Sequence, residues 1–221
     1  MKYQEHFHRS AGTIIKNTDI YKIEYESLIE TISSITDKDL VEEFYNVLQT
    51  QPSKKSLSTA INNLLKTRLT EKGWKAEVHI FRDKEYMDNK TNTWRLDFAK
   101  EKISVEVGFN HGGNIAHNLI KPTLAGELNH VEKEVITDIA VIIAATNGLK
   151  KAGNFDGAVG AFEKILTYLK PYNQFLTVPT VIIGLEAPET FYIDKKTRDV
   201  VYITWSRLSS LLRYKYCEKN K

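Results

Sequence analysis

Helical spacing of apolar residues dominates the first third of the chain. Apolar positions recur with a period near 3.6 in three segments, at residues 21–32, 40–48 and 57–69. Gly73 stands where the third helix should end, because glycine readily adopts the left-handed conformation that closes a helix. Residues 1–72 are therefore predicted to be mainly helical.

Beyond Gly73 the period changes to that of strands. Ala76, Val78 and Ile80 alternate with polar residues, as expected for a half-buried strand. The remaining predicted strands lie at 94–99, 103–109, 138–145 and 178–185, with a hairpin at 191–203; the predicted helices lie at about 115–131, 158–169 and 205–217. Pro122 is expected to kink or end the first of these helices.

This order of elements predicts the fold class. Helices come first, then an antiparallel meander, then strand–helix–strand units, which is typical of a mixed α+β (α/β) fold with a central mixed β-sheet flanked by helices. Neither a repeat nor a Pro/Gly-rich linker interrupts the chain. We therefore expect one domain over residues 1–221, with the sheet core and a C-terminal basic helix in residues 73–221.

Composition narrows the class of protein further. The 221 residues, 42% of them hydrophobic, suffice for one core. No run of about 18 apolar residues predicts a membrane span, and the polar N-terminus lacks the apolar segment of a secretory signal. The single cysteine, Cys217, fits a reducing compartment. We expect a cytoplasmic protein without membrane contact.

Basic residues concentrate at the C-terminal end. The formal net charge of the whole chain is only +3, yet residues 195–221 contain eight Lys and Arg against two acidic residues. Such an end is compatible with contact to nucleic-acid phosphates. A helix that only adds solubility would have the same composition, so charge leaves both interpretations open.

Two carboxylates interrupt neighbouring apolar strands. Asp97 interrupts the apolar end of one predicted strand, and Glu106 lies within Ile-Ser-Val-Glu-Val of the next. The polar turn Lys-Glu-Lys joins the two strands. Such a hairpin would place the two side chains across from each other. A buried carboxylate is unfavourable unless it is paired or binds a metal, and two oxygen donors suit Mg²⁺. Alternatively, Glu106 faces solvent together with Ser104 on a one-sided strand.

The same residues carry a family resemblance. The pattern Asp97-Phe-x7-Glu106-Val-x-Phe109 resembles the active-site hairpin, Asp-x8-Glu-x-Gln, of Type II restriction endonucleases of the PD-(D/E)XK superfamily, in the branch that includes BglII and BstYI. Three further segments resemble the same branch in the same order. They are residues 62–74, the helix that leads into strand 138–145, and residues 178–185. The resemblance thus runs from about residue 57 to residue 185.

This resemblance implies a function and a set of roles. We expect a restriction-endonuclease-like fold that hydrolyses double-stranded DNA at a short specific sequence, with Mg²⁺ as cofactor, as a homodimer or as a heterodimer with a related subunit. Asp97 and Glu106 would hold the metal together with the backbone carbonyl of Val107. Asn62 would support the site from the neighbouring helix.

The chain departs from the family pattern two residues after Glu106. Nucleases of this class carry Lys there, or Gln in this branch, whereas this chain has Gly108. Three explanations remain open: Asn110 or His111 takes over the role, two metal ions suffice, or the protein recognises DNA but is a weakly active or inactive subunit of a heterodimeric enzyme. Besides an active nuclease and a DNA-recognising subunit, a third class of function remains open, namely an α/β fold that binds a protein or a small molecule.

Two further segments offer side chains for DNA. The predicted mobile loop 146–157 carries residues whose polar groups match base edges in the major groove, namely Lys150, Lys151, Asn154 and Asp156. In the family that the chain resembles, this loop faces the groove. In the basic C-terminal end, Arg213 and Lys215 are candidates for phosphate contacts. An ordinary surface loop would explain the first set equally well, and residues like the second set more often belong to a helix face whose long side chains reach solvent.

Overall fold

The computed structural model describes residues 1–87, 94–127 and 132–203. The helices are α1 (Ala11–Lys16), α2 (Asp19–Ser34), α3 (Asp37–Thr50), α4 (Ser58–Glu71), α5 (Lys84–Met87), α6 (Ile115–Glu127), α7 (Asn147–Ala152) and α8 (Phe162–Tyr172). The strands are β1 (Tyr3–His8), β2 (Lys75–His79), β3 (Arg95–Lys100), β4 (Ile103–Val107), β5 (Ile139–Ala145), β6 (Thr180–Leu185), β7 (Phe191–Ile193) and β8 (Val200–Tyr202).

Six strands form one mixed sheet in the order β1-β6-β5-β4-β3-β2. The meander β2-β3-β4 is antiparallel, β4, β5 and β6 are parallel, and β1 joins β6 in the antiparallel sense. Strands β7 and β8 form a separate hairpin. The predicted mixed sheet flanked by helices is thus confirmed.

Helices cover both faces of the sheet, which explains the apolar runs in its middle. Every residue of β5 and β6 is buried, as expected for strands enclosed on both sides. Val141 and Ile143 of β5 pack on the side of α2, α3 and α4. Ile142 and Ala144 point to the opposite side, where they meet α6 and α8.

Helix and strand periodicity located most elements to within a few residues. Gly73 has φ +82°, the left-handed conformation expected of it after α4. Helix α6 does not end at Pro122 but continues through it. The predicted helix at 205–217 lies outside the described residues.

Strand β1 was not predicted. Its sequence, Tyr-Gln-Glu-His-Phe-His, has no apolar alternation, because it lies at the edge of the sheet and most of its side chains are exposed. Its backbone pairs residue by residue with β6. Among the described helices, none combines the length and the apolar character needed to cross a membrane.

Candidate active site

The β3–β4 hairpin brings the two predicted carboxylates together. Phe98 pairs with Val105 in the antiparallel register, so Asp97 and Glu106 follow at the next position of each strand. Asp97 Oδ2 accepts a hydrogen bond from the backbone N–H of Val107, at 2.6 Å. The spacing of eight residues therefore corresponds to a tight hairpin whose carboxylates lie on adjacent strands.

Glu106 is buried, contrary to the alternative that it faces solvent. Its exposed fraction is 2%, and it pairs in register with Ile142 of β5, whose side chain lies on the side of α6 and α8. Burial, followed by the nearby negative charge of Asp97, raises the pKa of Glu106 to about 8.

Asp97 is less enclosed than Glu106 but is also perturbed. Burial raises its pKa, while the hydrogen bond from Val107 and the positive charge of Lys121 oppose the rise. The negative charge of Glu77, on β2, adds to it. Two neighbouring carboxylates that both resist ionisation are a common feature of sites built to receive a cation.

Lys121 of α6 is the residue that sequence reasoning missed. Its Nζ lies 2.7 Å from Oε1 of Glu106, an ion pair in which both side chains are almost fully buried. The same Nζ donates a hydrogen bond of 2.7 Å to the backbone carbonyl of Arg95 on β3. A lysine on the sheet-facing side of an amphipathic helix was the available signal.

Gly108 leaves space that α6 fills. A β carbon on Gly108 would lie 3.2 Å from Nδ2 of Asn118, and Nδ2 of Asn118 donates to Oδ1 of Asn110 at 3.1 Å. His111 is exposed, and its Nδ1 accepts a hydrogen bond from the N–H of Gly113. The structure thus gives the two candidates proposed to replace the missing side chain other partners.

A small cleft of about 110 Å³ opens beside Asp97. Its lining includes Asn62 and Lys66 from α4, Glu77 from β2, and Val107 from β4. Asn62 and Asp97 thus line the same cleft. Lys66 and Glu77 are further polar neighbours that the sequence did not single out. A larger cavity of about 650 Å³ includes Met1 and Glu189, but neither Asp97 nor Glu106.

The donor set fits a hard cation. Within residues 1–87, 94–127 and 132–203, no three His, Cys, Asp or Glu side chains come together as metal ligands. Two carboxylates with a carbonyl and water are nevertheless a sufficient set for Mg²⁺, which retains several waters. The buried carboxylate of Glu106 would supply one such ligand.

The first half of the segment predicted as a loop, residues 146–157, forms a helix, so the loop prediction was wrong there. Residues Asn147–Ala152 form α7, whose N-terminus is capped by Oγ1 of Thr146. Lys150 Nζ donates to the carbonyls of Gly157 and Val159. These contacts hold the segment against its own backbone.

The other side chains of this segment also have partners within the protein. Nδ2 of Asn154 donates to the carbonyl of Lys55 at 2.8 Å, and Oδ1 of Asp156 accepts from the N–H of Ala158 at 2.7 Å. Lys151 is exposed. Arg213 and Lys215 lie outside the described residues.

Comparison with known proteins decides the family. A sequence model described as restriction endonuclease BglII/BglIII matches residues 3–185, which include the carboxylate hairpin, α4 and α6. The chain belongs to the BglII/BglIII restriction endonuclease family. It is a Type II site-specific deoxyribonuclease, and the predicted branch is confirmed.

Solved structures agree with the fold of this family. The structure of BglII complexed with a DNA 16-mer matches with a TM-score of 0.60 and 19% identity, over 91% of this chain and 87% of the other. Free BglII matches with a TM-score of 0.53 and 19% identity, over 91% of each chain. No curated protein sequence matches this member of the family significantly.

Proposed function

We propose that this endonuclease hydrolyses double-stranded DNA at a short specific sequence and that it requires Mg²⁺. The observation that carries the proposal is the buried carboxylate of Glu106 on the strand next to Asp97, where the ammonium of Lys121 brings one positive charge to two acids. Burying such a group is unfavourable for a protein that makes no use of it. A bound cation compensates that energy.

Asp97, Glu106 and the carbonyl oxygen of Val107 would hold the ion. When bound, Mg²⁺ polarises the phosphate to be cut and makes water a better nucleophile. The hydrogen bond from Val107 to Oδ2 of Asp97 fixes the orientation of that carboxylate. The other oxygen of Asp97 would then bind the ion.

Asn62 belongs to the same site in this proposal. It lines the cleft beside Asp97 from α4, and its amide can both donate and accept hydrogen bonds. We assign it the role of orienting a water molecule or a phosphate oxygen at the mouth of the cleft. Lys66, one helical turn further along α4, lines the same cleft with a positive charge.

Sequence recognition is assigned to the α7 segment. Lys151 is exposed and suits guanine, whereas Lys150, Asn154 and Asp156 would read bases only by exchanging their present contacts for base edges. The neighbouring structure of BglII contains a DNA 16-mer, which supports duplex DNA as the substrate. Arg213 and Lys215 are proposed to contact phosphates.

Cutting both strands of a duplex favours two copies of the site. The described residues form one Asp97–Glu106 hairpin, and one such site reaches one scissile phosphate at a time. We therefore propose a homodimer, or a heterodimer with a related subunit. Two-fold symmetry would then relate the two halves of the target sequence.

Digestion of a sequenced plasmid tests the proposal. Purified protein with Mg²⁺ should give discrete fragments whose ends map to one short sequence, and EDTA should prevent them. Salt-sensitive, specific DNA binding without cleavage would instead favour a recognition subunit, the alternative that Gly108 raises. Protein that neither binds nor cuts DNA would contradict both functions.

A further inference from the structure

The position directly after β4 carries no side chain in this chain. Gly108 follows Glu106 by two residues, and its N–H is bound to the carbonyl of Ile143 at 2.7 Å. Since alternate residues of a strand share a face, a side chain there would point the same way as Glu106. Helix α6 approaches this face and supplies two polar side chains instead.

Those side chains come from one face of α6. Asn118 and Lys121 are three residues apart and therefore neighbours on the helix surface. Asn118 Nδ2 stands 3.2 Å from the missing β carbon of Gly108, and Lys121 Nζ stands 2.7 Å from Oε1 of Glu106. Both side chains are buried, with exposed fractions of 6% and 8%.

Lys121 is held by both strands of the hairpin. Its ammonium touches Glu106 on β4 and the carbonyl of Arg95 on β3, two residues before Asp97. An ammonium has three N–H donors, and these contacts occupy two of them. The third can serve an oxygen atom that enters the site from outside.

We propose that Lys121 is a catalytic residue that binds the phosphate being cut, in place of the side chain absent at Gly108. This inference rests on the proposed function. In the hydrolysis, a water oxygen forms a bond to phosphorus, the bond from phosphorus to the leaving sugar oxygen breaks with its electron pair, and one water proton ends on that oxygen. The ammonium of Lys121 stabilises the negative charge that develops on the phosphate oxygens.

A purely structural role makes a different prediction. If Lys121 only neutralises the buried Glu106, a bound divalent cation would do the same. The variant Lys121→Met would then cleave at the parental rate once Mg²⁺ is saturating. If Lys121 binds the reacting phosphate, saturating Mg²⁺ cannot replace it, although removing a competing positive charge should make the metal bind as tightly or more tightly.

Single-turnover cleavage of plasmid DNA across a Mg²⁺ titration separates the two roles. We expect Lys121→Met to lower the rate at saturating Mg²⁺ by about 10²–10³-fold, the effect of losing one positioned donor. Calorimetric binding of Ca²⁺ to the DNA-free protein should be unweakened. Lys38→Met, on the exposed surface of α3, is the matched control and should keep the parental rate.

A variant that carries the lysine at position 108 instead of position 121 tests the same inference from the other side. The variant Lys121→Met, Gly108→Lys, Asn118→Ala restores a cation beside Glu106 and removes the amide that would crowd it. We expect this triple variant to cleave at least ten times faster than Lys121→Met. Should Lys121→Met fail to fold by circular dichroism, Lys121→Arg decides, because it retains the charge but not the position of the donor.

Two results overturn the inference independently of the proposed function. One is a parental rate for Lys121→Met at saturating Mg²⁺; the other, where that variant does not fold, is a parental rate for Lys121→Arg. A parent protein that leaves the plasmid intact with Mg²⁺ overturns the proposed function itself, and the inference with it.

Discussion

The carboxylate of Asp97 is joined to the backbone of the neighbouring strand, with Oδ2 2.6 Å from the amide nitrogen of Val107. This bond connects the first carboxylate to the residue immediately after the second. The position of Asp97 is thus coupled to the β3–β4 pairing, and the site depends on the register of the hairpin as much as on the two acids.

Replacing Asp97 should separate catalysis from stability. Both Asp97→Asn and Asp97→Ala should abolish cleavage, because neither supplies a charged ligand. Asp97→Asn retains a carbonyl oxygen for the N–H of Val107, whereas Asp97→Ala leaves that N–H without its partner, at a cost of about 1–3 kcal/mol. Urea unfolding checks the difference; equal stability of the two variants would contradict a structural role for this bond.

The stability of the metal-free protein should fall as pH rises. The pKa of Glu106 is about 8 in the folded protein, above its usual value of 4.5, so between these values unfolding releases a proton from this group. Its contribution to the free energy of unfolding therefore decreases by about 1.4 kcal/mol per pH unit across that window.

Urea unfolding in EDTA at about pH 5 and about pH 8 measures this effect. Glu106→Gln cannot titrate, so it should lose less stability than the parent over the same interval. Other groups titrate equally in both proteins, which makes the difference between them the informative quantity. Identical pH profiles would mean that Glu106 is ionised throughout.

Gly108→Lys should not improve the parent enzyme. A β carbon at this position would lie 3.2 Å from Nδ2 of Asn118, tighter than an ordinary contact, and Lys121 already places a cation beside Glu106. We expect equal or lower cleavage rates for the single variant. A gain of more than about tenfold, the scale of a newly positioned catalytic group, would show that the parent lacks this cation.

The exposed His111 provides a contrasting test. Its Nδ1 accepts the N–H of Gly113, which assigns it to capping the turn before α6. His111→Ala should change the single-turnover rate far less than the ~10²-fold typical of losing a proton-transfer group. A loss on that scale would restore His111 as the substitute for the side chain missing at Gly108.

DNA recognition should divide between α7 and the C-terminal end. Lys151→Ala removes an exposed side chain and should reduce the preference for the cognate site, since base contacts discriminate by about 1–3 kcal/mol each. Arg213→Ala or Lys215→Ala should weaken binding to all sequences. Each should also reduce, by about 1, the slope of the logarithm of the binding constant against the logarithm of the salt concentration. Titrations with cognate and scrambled duplexes at several salt concentrations measure both; equal losses for both duplexes in Lys151→Ala would place specificity elsewhere.

The sequence predicted the elements whose pattern is set by the core. Strands β5 and β6 are apolar throughout because helices cover both of their faces, and the Asp97–Glu106 hairpin followed from two carboxylates that interrupt apolar strands. Strand β1 escaped prediction because an exposed edge strand needs no apolar alternation. No local sequence pattern indicates that β1 pairs with β6, because the two strands are far apart in the chain.

Lys121 escaped prediction for a related reason. It is 15 residues from Glu106 in the chain, on a helix whose sequence contains Pro122. Only the packing of α6 on the sheet brings the two charges together. In the same way, α7 was taken for a loop because its six residues are too few for helical periodicity to be visible.

The central claim is that the carboxylate pair is the catalytic centre, and Glu106→Gln tests it most directly. The variant keeps the size of the side chain and removes its charge, and Glu42→Gln, on the exposed surface of α3, is the matched control. In Mg²⁺, the account predicts that Glu42→Gln cuts plasmid DNA like the parent, while Glu106→Gln does not cut but still binds the same sites. Full cleavage by folded Glu106→Gln would contradict it.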